Sequence, residues 1–246
     1  MKLKKMNIFN DSTKMVNLKE YKISLSPGAN ASRPKYQITT PSGEVYFKFK
    51  MTDNEIGAEI FSYHIAKALN IPVANTCLAT YKNKVGIASY DIGYFTEPED
   101  LDSYSIKNYL DVSGFIDMCL FDYIIMNEDR HAGNWGIVNN KVAPLFDHNN
   151  CFGGRDGFVD LEHFMVTVTS PFYVDTEYQQ RHDMILEFLY KHYRQDVALF
   201  IQKIGYLKPI HDAALEEYDI QISNKLNHVL FKRIDYMHRK VREFHG

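Results

Sequence analysis

Residues Asn127–Asp147 read N-E-D-R-H-A-G-N-W-G-I-V-N-N-K-V-A-P-L-F-D. They place a carboxylate (Asp129), an amide five residues later (Asn134) and a second carboxylate thirteen beyond that (Asp147), the order that magnesium-dependent phosphoryl transfer requires. Such transfer runs through a loose transition state, so a protein contributes mainly alignment of a hydroxyl with the γ-phosphate and neutralisation of charge. A carboxylate beside the attacking hydroxyl orients it and takes its proton, which is the part Asp129 would play. One amide oxygen and one carboxylate oxygen are hard donors suited to Mg²⁺, which keeps several waters and takes its other ligands from substrate phosphates. Asn134 and Asp147 supply that pair.

The surroundings give the motif its context. Val112–Met126 is almost wholly apolar and long enough for a buried helix leading into the Asp129 loop. Ile137-Val138 and Val142–Phe146, separated by Asn139-Asn140-Lys141, predict a short hairpin that ends at Asp147. His131 reads as a loop-stabilising residue rather than a proton carrier, and Trp135 as core or cleft-wall packing. His148 and His163 lack the i, i+4 pairing of a transition-metal site.

Upstream the pattern is β-rich. Tyr21, Ile23 and Leu25 alternate with polar residues, as do Tyr36, Ile38 and Thr40, and between them Ser26–Pro34 is dense in turn formers. That loop holds one glycine, Gly28, and serves equally as an anion-binding nest or a plain hairpin connection. Val45–Lys50 predicts a third strand with Lys48 and Lys50 on one face; a helix capped by Asp53 or Asn54 runs to about Leu69. Val73–Thr80 and Val85–Tyr90 predict two further strands joined at Lys82-Asn83-Lys84. A strand lysine that meets nucleotide phosphates needs a carboxylate to orient it, so Lys48 is preferred to Lys50, and Glu59, beside Ile60 and Phe61, to Glu55.

Residues 1–17 read as a loosely held leader, 18–95 as a β-rich lobe and 96–246 as a helical lobe, with the acidic stretch Thr96–Ser105 at the boundary. Gly153–Thr176 is irregular, and amphipathic helices are expected near His182–Ile204 and from about Ile222 to Phe244. The net charge of −3 offers no global field for nucleic acid or membrane surfaces, so direct binding to either is not expected. Cys77, Cys119 and Cys151 are far apart and form no C-x-x-C, which suits free thiols in a reducing compartment. With no signal-peptide or transmembrane pattern, a cytoplasmic location is expected.

The segments S-P-G-A-N-A-S-R-P-K, Y-F-K-F, A-E-I-F-S-Y-H-I-A-K-A-L-N-I-P, A-S-Y-D, N-E-D-R-H-A-G-N-W-G and A-P-L-F-D together resemble the HipA-like kinases, whose D-R-H-x-x-N loop is shared with phosphatidylinositol kinases. The resemblance implies an α+β, two-lobed protein-kinase-like fold: an antiparallel β-sheet lobe with one helix, then a mainly helical lobe. It implies a serine/threonine protein kinase using ATP and Mg²⁺, with Asp129 as base and Asn134 and Asp147 on the metal. The nucleotide would meet Lys48, Glu59, Gly28 and His131, and the backbone of Ala88-Ser89-Tyr90 as a hinge at the adenine. It implies autophosphorylation at the phosphate loop, with Ser26 favoured over Ser24 and Ser32.

The loop is longer and poorer in glycine than the family's, and Asp147-His148-Asn149 replaces a D-F-G. The sequence reads as shorter than the family's full-length toxins and as lacking their extra N-terminal segment, so neither a toxin role nor a stable antitoxin partner is carried over as an expectation. A protein substrate and an antitoxin-like partner are the partners the resemblance brings into view. The rival readings are a lipid or small-molecule kinase of the same fold and a nucleotide-binding pseudokinase acting as an interaction module.

Overall fold

A computed structural model describes residues 15–25, 35–40, 43–97, 109–127, 129–130, 132–153 and 181–244. The alternating N-terminal half forms one six-stranded sheet from β1 (Val16–Asn17), β2 (Lys22–Leu25), β3 (Lys35–Thr40), β4 (Gly43–Phe49), β5 (Thr76–Tyr81) and β6 (Lys84–Tyr90). Its order is β1-β5-β6-β4-β3-β2, and every pairing is antiparallel except that of β1 with β5. Lys82 and Asn83 both take positive φ (48° and 61°), the backbone a two-residue hairpin turn needs to match the twist of its strands. Residues 16 and 17, expected within the leader, are paired: Val16 and Asn17 pair with Ala79 and Thr80, and Leu18 is fully buried. Two residues of edge strand carry no readable alternation.

Helix α1 (Asp53–Ala68) is capped by Thr52, not by Asp53 or Asn54. The Thr52 Oγ1 accepts from the Glu55 N–H at 3.2 Å and the Glu55 carboxylate accepts from the Thr52 N–H at 2.7 Å, a reciprocal capping box. One side of α1, Ile56 and Ile60, packs on Leu78 and Ile87 of the sheet. Ala58, Phe61, Ile65 and Ala66 instead join the helical core. After α1 the chain does not enter a strand at Val73, which bridges Leu145; Leu145 donates to the Pro72 carbonyl and accepts from the Ala74 N–H, both at 2.9 Å. The exit from α1 is thereby fastened to the segment that delivers Asp147.

The second half is helical around α2 (Phe115–Ile125), with the small hairpin β7 (Ile137–Val138) and β8 (Lys141–Val142) turning at Asn139 and Asn140. The helix expected near His182–Ile204 is two, α3 (Arg181–His192) and α4 (Arg194–Ile204), parted at Tyr193. The last helix, α5 (Ala213–Glu243), starts nine residues before the expected Ile222 because Asp219 leaves helical geometry (φ −158°, ψ 95°) and breaks the periodicity. Ala214 and Leu215 ahead of that kink pack with Ile56, Ile60, Leu78 and Ile87, whereas Leu226, Leu230 and Met237 beyond it lie in the helical core. The architecture is the expected α+β one, a mostly antiparallel sheet with one helix followed by a mainly helical half. Among the described residues no helix is long and apolar enough to cross a membrane.

All three thiols are free. Burial pushes Cys119 and Cys151 far above the ordinary thiol range, with Asp122 adding to it, and pushes Cys77 up to about 12. A thiol-specific reagent at about pH 8 is therefore expected to react roughly 100-fold more slowly with native than with urea-unfolded protein. Rapid labelling of native protein would contradict this core.

Candidate active site

Strand alternation delivers the lysine. Val45, Phe47 and Phe49 of β4 turn to the buried face, and Lys48 turns the other way, opposite Ile87 of β6. Its Nζ lies 2.8 Å from Asp147 Oδ1 and 3.9 Å from Glu59 Oε2. Lys50 has left the strand at φ 60° and is exposed. Glu55, committed to the cap of α1, is not the carboxylate that meets Lys48; the next turn supplies Glu59. Gly86 allows the close approach of β6, since a Cβ there would collide with the Lys48 carbonyl oxygen.

Burial and charge oppose each other at this cluster. Burial works against the Lys48 ammonium, but Asp147 and Glu59 outweigh it and hold its pKa above the ordinary value. Burial, helped by the charge of Asp147, raises Glu59 against the pull of Lys48. The Glu59 Oε2 also accepts from the His148 N–H at 2.8 Å, so α1 is tied to the residue after Asp147. His148 itself is buried; desolvation, Arg130 and Lys48 push it well below 6.5, which keeps the ring neutral. Its edge meets Phe121 at 5.8 Å between centroids.

The Asp129 loop is organised from α2. Met126 closes the helix in the left-handed region (φ 55°), after which Asn127 donates to Asp122 Oδ1 at 2.8 Å and accepts from the Asp129 N–H at 3.0 Å. The Asn134 Nδ2 donates to the Asp129 carbonyl at 2.7 Å, leaving its Oδ1 as the end of the amide suited to a cation. Asn150 donates to Asp129 Oδ2 at 2.7 Å and so fixes the carboxylate.

Fully buried Arg130 joins these pieces. Its Nε and Nη2 form a fork on Asp122, each at 2.9 Å, and its Nη1 donates to the carbonyls of Asn134 (2.8 Å) and Phe146 (3.1 Å). One nitrogen thus holds the backbone of Asn134 beside the residue that precedes Asp147. Burial opposes the guanidinium charge, but Asp122 outweighs it. Asp147 follows at φ 61°, a left-handed conformation uncommon outside glycine and typical of residues held by their surroundings.

Sequence reasoning missed Arg130, Asp122 and Asn150. Asp122 as the second of only two charges in an apolar helix was the available signal for the Arg130 partner. Nothing in the sequence distinguished Asn150 from Asn149.

The segment expected as the hinge lies in a paired strand. Ala88 pairs with Phe47 and Cys77, and Ser89 with Tyr46 and Thr76, so β6 is central and its backbone groups are spent on both neighbours. Tyr90 still pairs with Val45 and donates to Asn75. Ser24 lies in β2 opposite Gln37. Gly28, Ser26, Ser32, His131 and His163 lie outside the described residues.

The donor set of Asn134 and Asp147 fits Mg²⁺ completed by phosphates and water. Among the described residues no group of three or more His, Cys, Asp or Glu converges in a way that would hold a metal alone.

A family described as phosphatidylinositol 3- and 4-kinase matches residues 17–200. The chain belongs to this family. Among curated proteins, the serine/threonine-protein kinase CtkA of Helicobacter pylori is 31% identical to this kinase-family chain over 153 residues, 47% of this chain and 46% of that protein. The match therefore spans about half the relative's length. The crystal structure of the H. pylori proinflammatory kinase CtkA aligns with a TM-score of 0.57 at 19% identity, covering 93% of this chain and 99% of that one, and shares the fold. HipA of Shewanella oneidensis MR-1, solved with HipB and operator DNA, aligns with a TM-score of 0.48 at 13% identity, covering 94% and 69%. The kinase resemblance carried by N-E-D-R-H-A-G-N-W-G and A-P-L-F-D holds at the level of family and fold.

Proposed function

We propose that this kinase-family chain is an ATP- and Mg²⁺-dependent phosphotransferase that passes the γ-phosphate to a serine or threonine hydroxyl on a protein, itself included. The observation that carries the reading is the convergence of β4, α1 and the Asp147 segment on Lys48, with Arg130 holding the Asn134 and Phe146 backbones together. Bound Mg-ATP supplies the phosphoryl group and the cation that spreads its charge. Lys48, oriented by Glu59, neutralises phosphate oxygens; Asn134 Oδ1 and the Asp147 carboxylate are the metal donors. Asp129, steadied by Asn150, orients the acceptor hydroxyl and receives its proton.

We assign the sheet lobe to residues up to about 95 and the adenine contact to backbone between Ile92 and Phe95, beyond the paired part of β6. Ser26, Ser24 and Ser32 are the candidate sites of self-modification, with Ser26 first. The family description favours a second reading, an inositol-lipid acceptor, and the CtkA match favours the protein acceptor.

Incubation with Mg-ATP, followed by intact mass and phosphosite mapping, tests both readings. A gain of phosphate on protein serine or threonine is expected, and Asp129→Ala should lower its rate about 100-fold. Transfer to phosphatidylinositol vesicles with none to protein would replace the first reading with the second. No transfer to either would leave a nucleotide-binding module.

A further inference from the structure

Helix α1 is gripped from behind by α5. Gly57 and Glu59 are two residues apart, about 200° around a helix, so they face opposite sides of α1. Glu59 points to Lys48 and the His148 N–H; behind it, a Cβ at Gly57 would fall well inside contact distance of Ile222 Cγ2 and 3.1 Å from Leu226 Cδ1. Two polar ties flank this contact: the Tyr218 hydroxyl donates to Asp53, and His64 Nε2 lies 2.7 Å from Asp212 Oδ2. Past the kink, Asp219 Oδ1 accepts from the Gln221 and Ile222 N–H groups at 2.9 and 3.1 Å and caps the second segment of α5 where Ile222 stands. That segment is fixed in turn to α2, because buried Arg233 donates to the Tyr123 carbonyl at 3.0 Å.

We propose that α5 sets the position of α1 through Ile222 seated on Gly57, and thereby decides how Lys48 is shared between Glu59 and Asp147. Gly57 and Ile222 are positioning residues in this scheme, which rests on the kinase reading of Lys48. The separations make the sharing sensitive: Lys48 is fully bonded to Asp147 at 2.8 Å and at the edge of an ion pair with Glu59 at 3.9 Å. A displacement of α1 by about 1 Å spans the difference between a made and an unmade bond. Helix propensity alone would favour Gly57→Ala; the contact with Ile222 reverses that expectation.

The test compares Gly57→Ala, Ile222→Ala and the double variant. Gly57→Ala is expected to lower kcat/KM for ATP about tenfold or more. The double variant, with room restored, should return to within about threefold of the wild type. In a Glu59→Gln background, Gly57→Ala should add less than about twofold, which a merely structural defect would not obey. Crystal structures of the wild type and Gly57→Ala give a readout independent of turnover, in which the Lys48–Glu59 separation should change. Wild-type protein without transfer activity would sink the kinase reading, and the crystal comparison would still decide this one. An unmoved α1 in Gly57→Ala, a shift of α5 in its place, or an equal loss in the Glu59→Gln background would overturn the proposal.

Discussion

Arg130→Met is expected to cost about 3–5 kcal/mol of stability, because removing one partner of a buried pair leaves the other charge unpaired. Asp122, 1% exposed, would lose both arms of the guanidinium fork and keep only the Asn127 amide among the bonds described above. The carbonyls of Asn134 and Phe146 would lose their shared donor in the same step. Urea denaturation measures the first effect, and the double variant Arg130→Met/Asp122→Leu separates it from the second. With both charges gone, a packed apolar pair should recover much of the stability. Phosphoryl transfer should stay lost in the double variant, since the Asn134 and Asp147 segments are no longer joined. A single variant within about 1 kcal/mol of wild type would show that the fork is not what holds the loop.

Arg130 also marks where the sequence stops being readable. Asp129, Asn134 and Asp147 stood out as candidates because phosphoryl transfer restricts residue type and spacing together. Arg130 sits in the same motif, but its work depends on Asp122 eight residues earlier and on two carbonyls downstream. Strands β2, β3 and β4 were legible from alternation. The sheet order was not, and that order makes β6 central, with Ala88 and Ser89 paired on both sides. A strand end in sequence need not be a free backbone in space.

The helices show the same division between local and non-local causes. The apolar run from Val112 gave α2 because a fully buried helix needs no alternating pattern. Thr52 was passed over at α1 because Asp53 and Asn54 are equally good caps, and only the reciprocal bond with Glu55 separates them. The early start of α5 was hidden because its first two turns pack on the sheet side of α1 while the segment beyond Asp219 packs into the helical core shared by α1 and α2, so no single apolar stripe runs through Asp219. The break at Tyr193 comes without glycine or proline, and nothing local announces it.

Asp147→Asn is expected to lower transfer about 1000-fold or more while leaving the fold in place. Asparagine keeps the shape of the side chain and tolerates the left-handed backbone that Asp147 adopts, so neither packing nor strain changes. What disappears is the charge that holds Lys48 at 2.8 Å and that would face the cation. Lys48 should then turn to Glu59, whose oxygen is already at 3.9 Å, and this second partner limits the loss of stability. Asp147 is one of the influences raising Glu59, so its neutralisation also favours the charged form of that carboxylate and strengthens the remaining pair. The variant therefore separates two jobs that the wild-type residue performs together. Its melting temperature should stay close to wild type, its transfer rate should be nearly gone, and added Mg²⁺ should not restore it. Retention of more than about one-tenth of the wild-type rate would show that the cation takes its protein carboxylate from somewhere else.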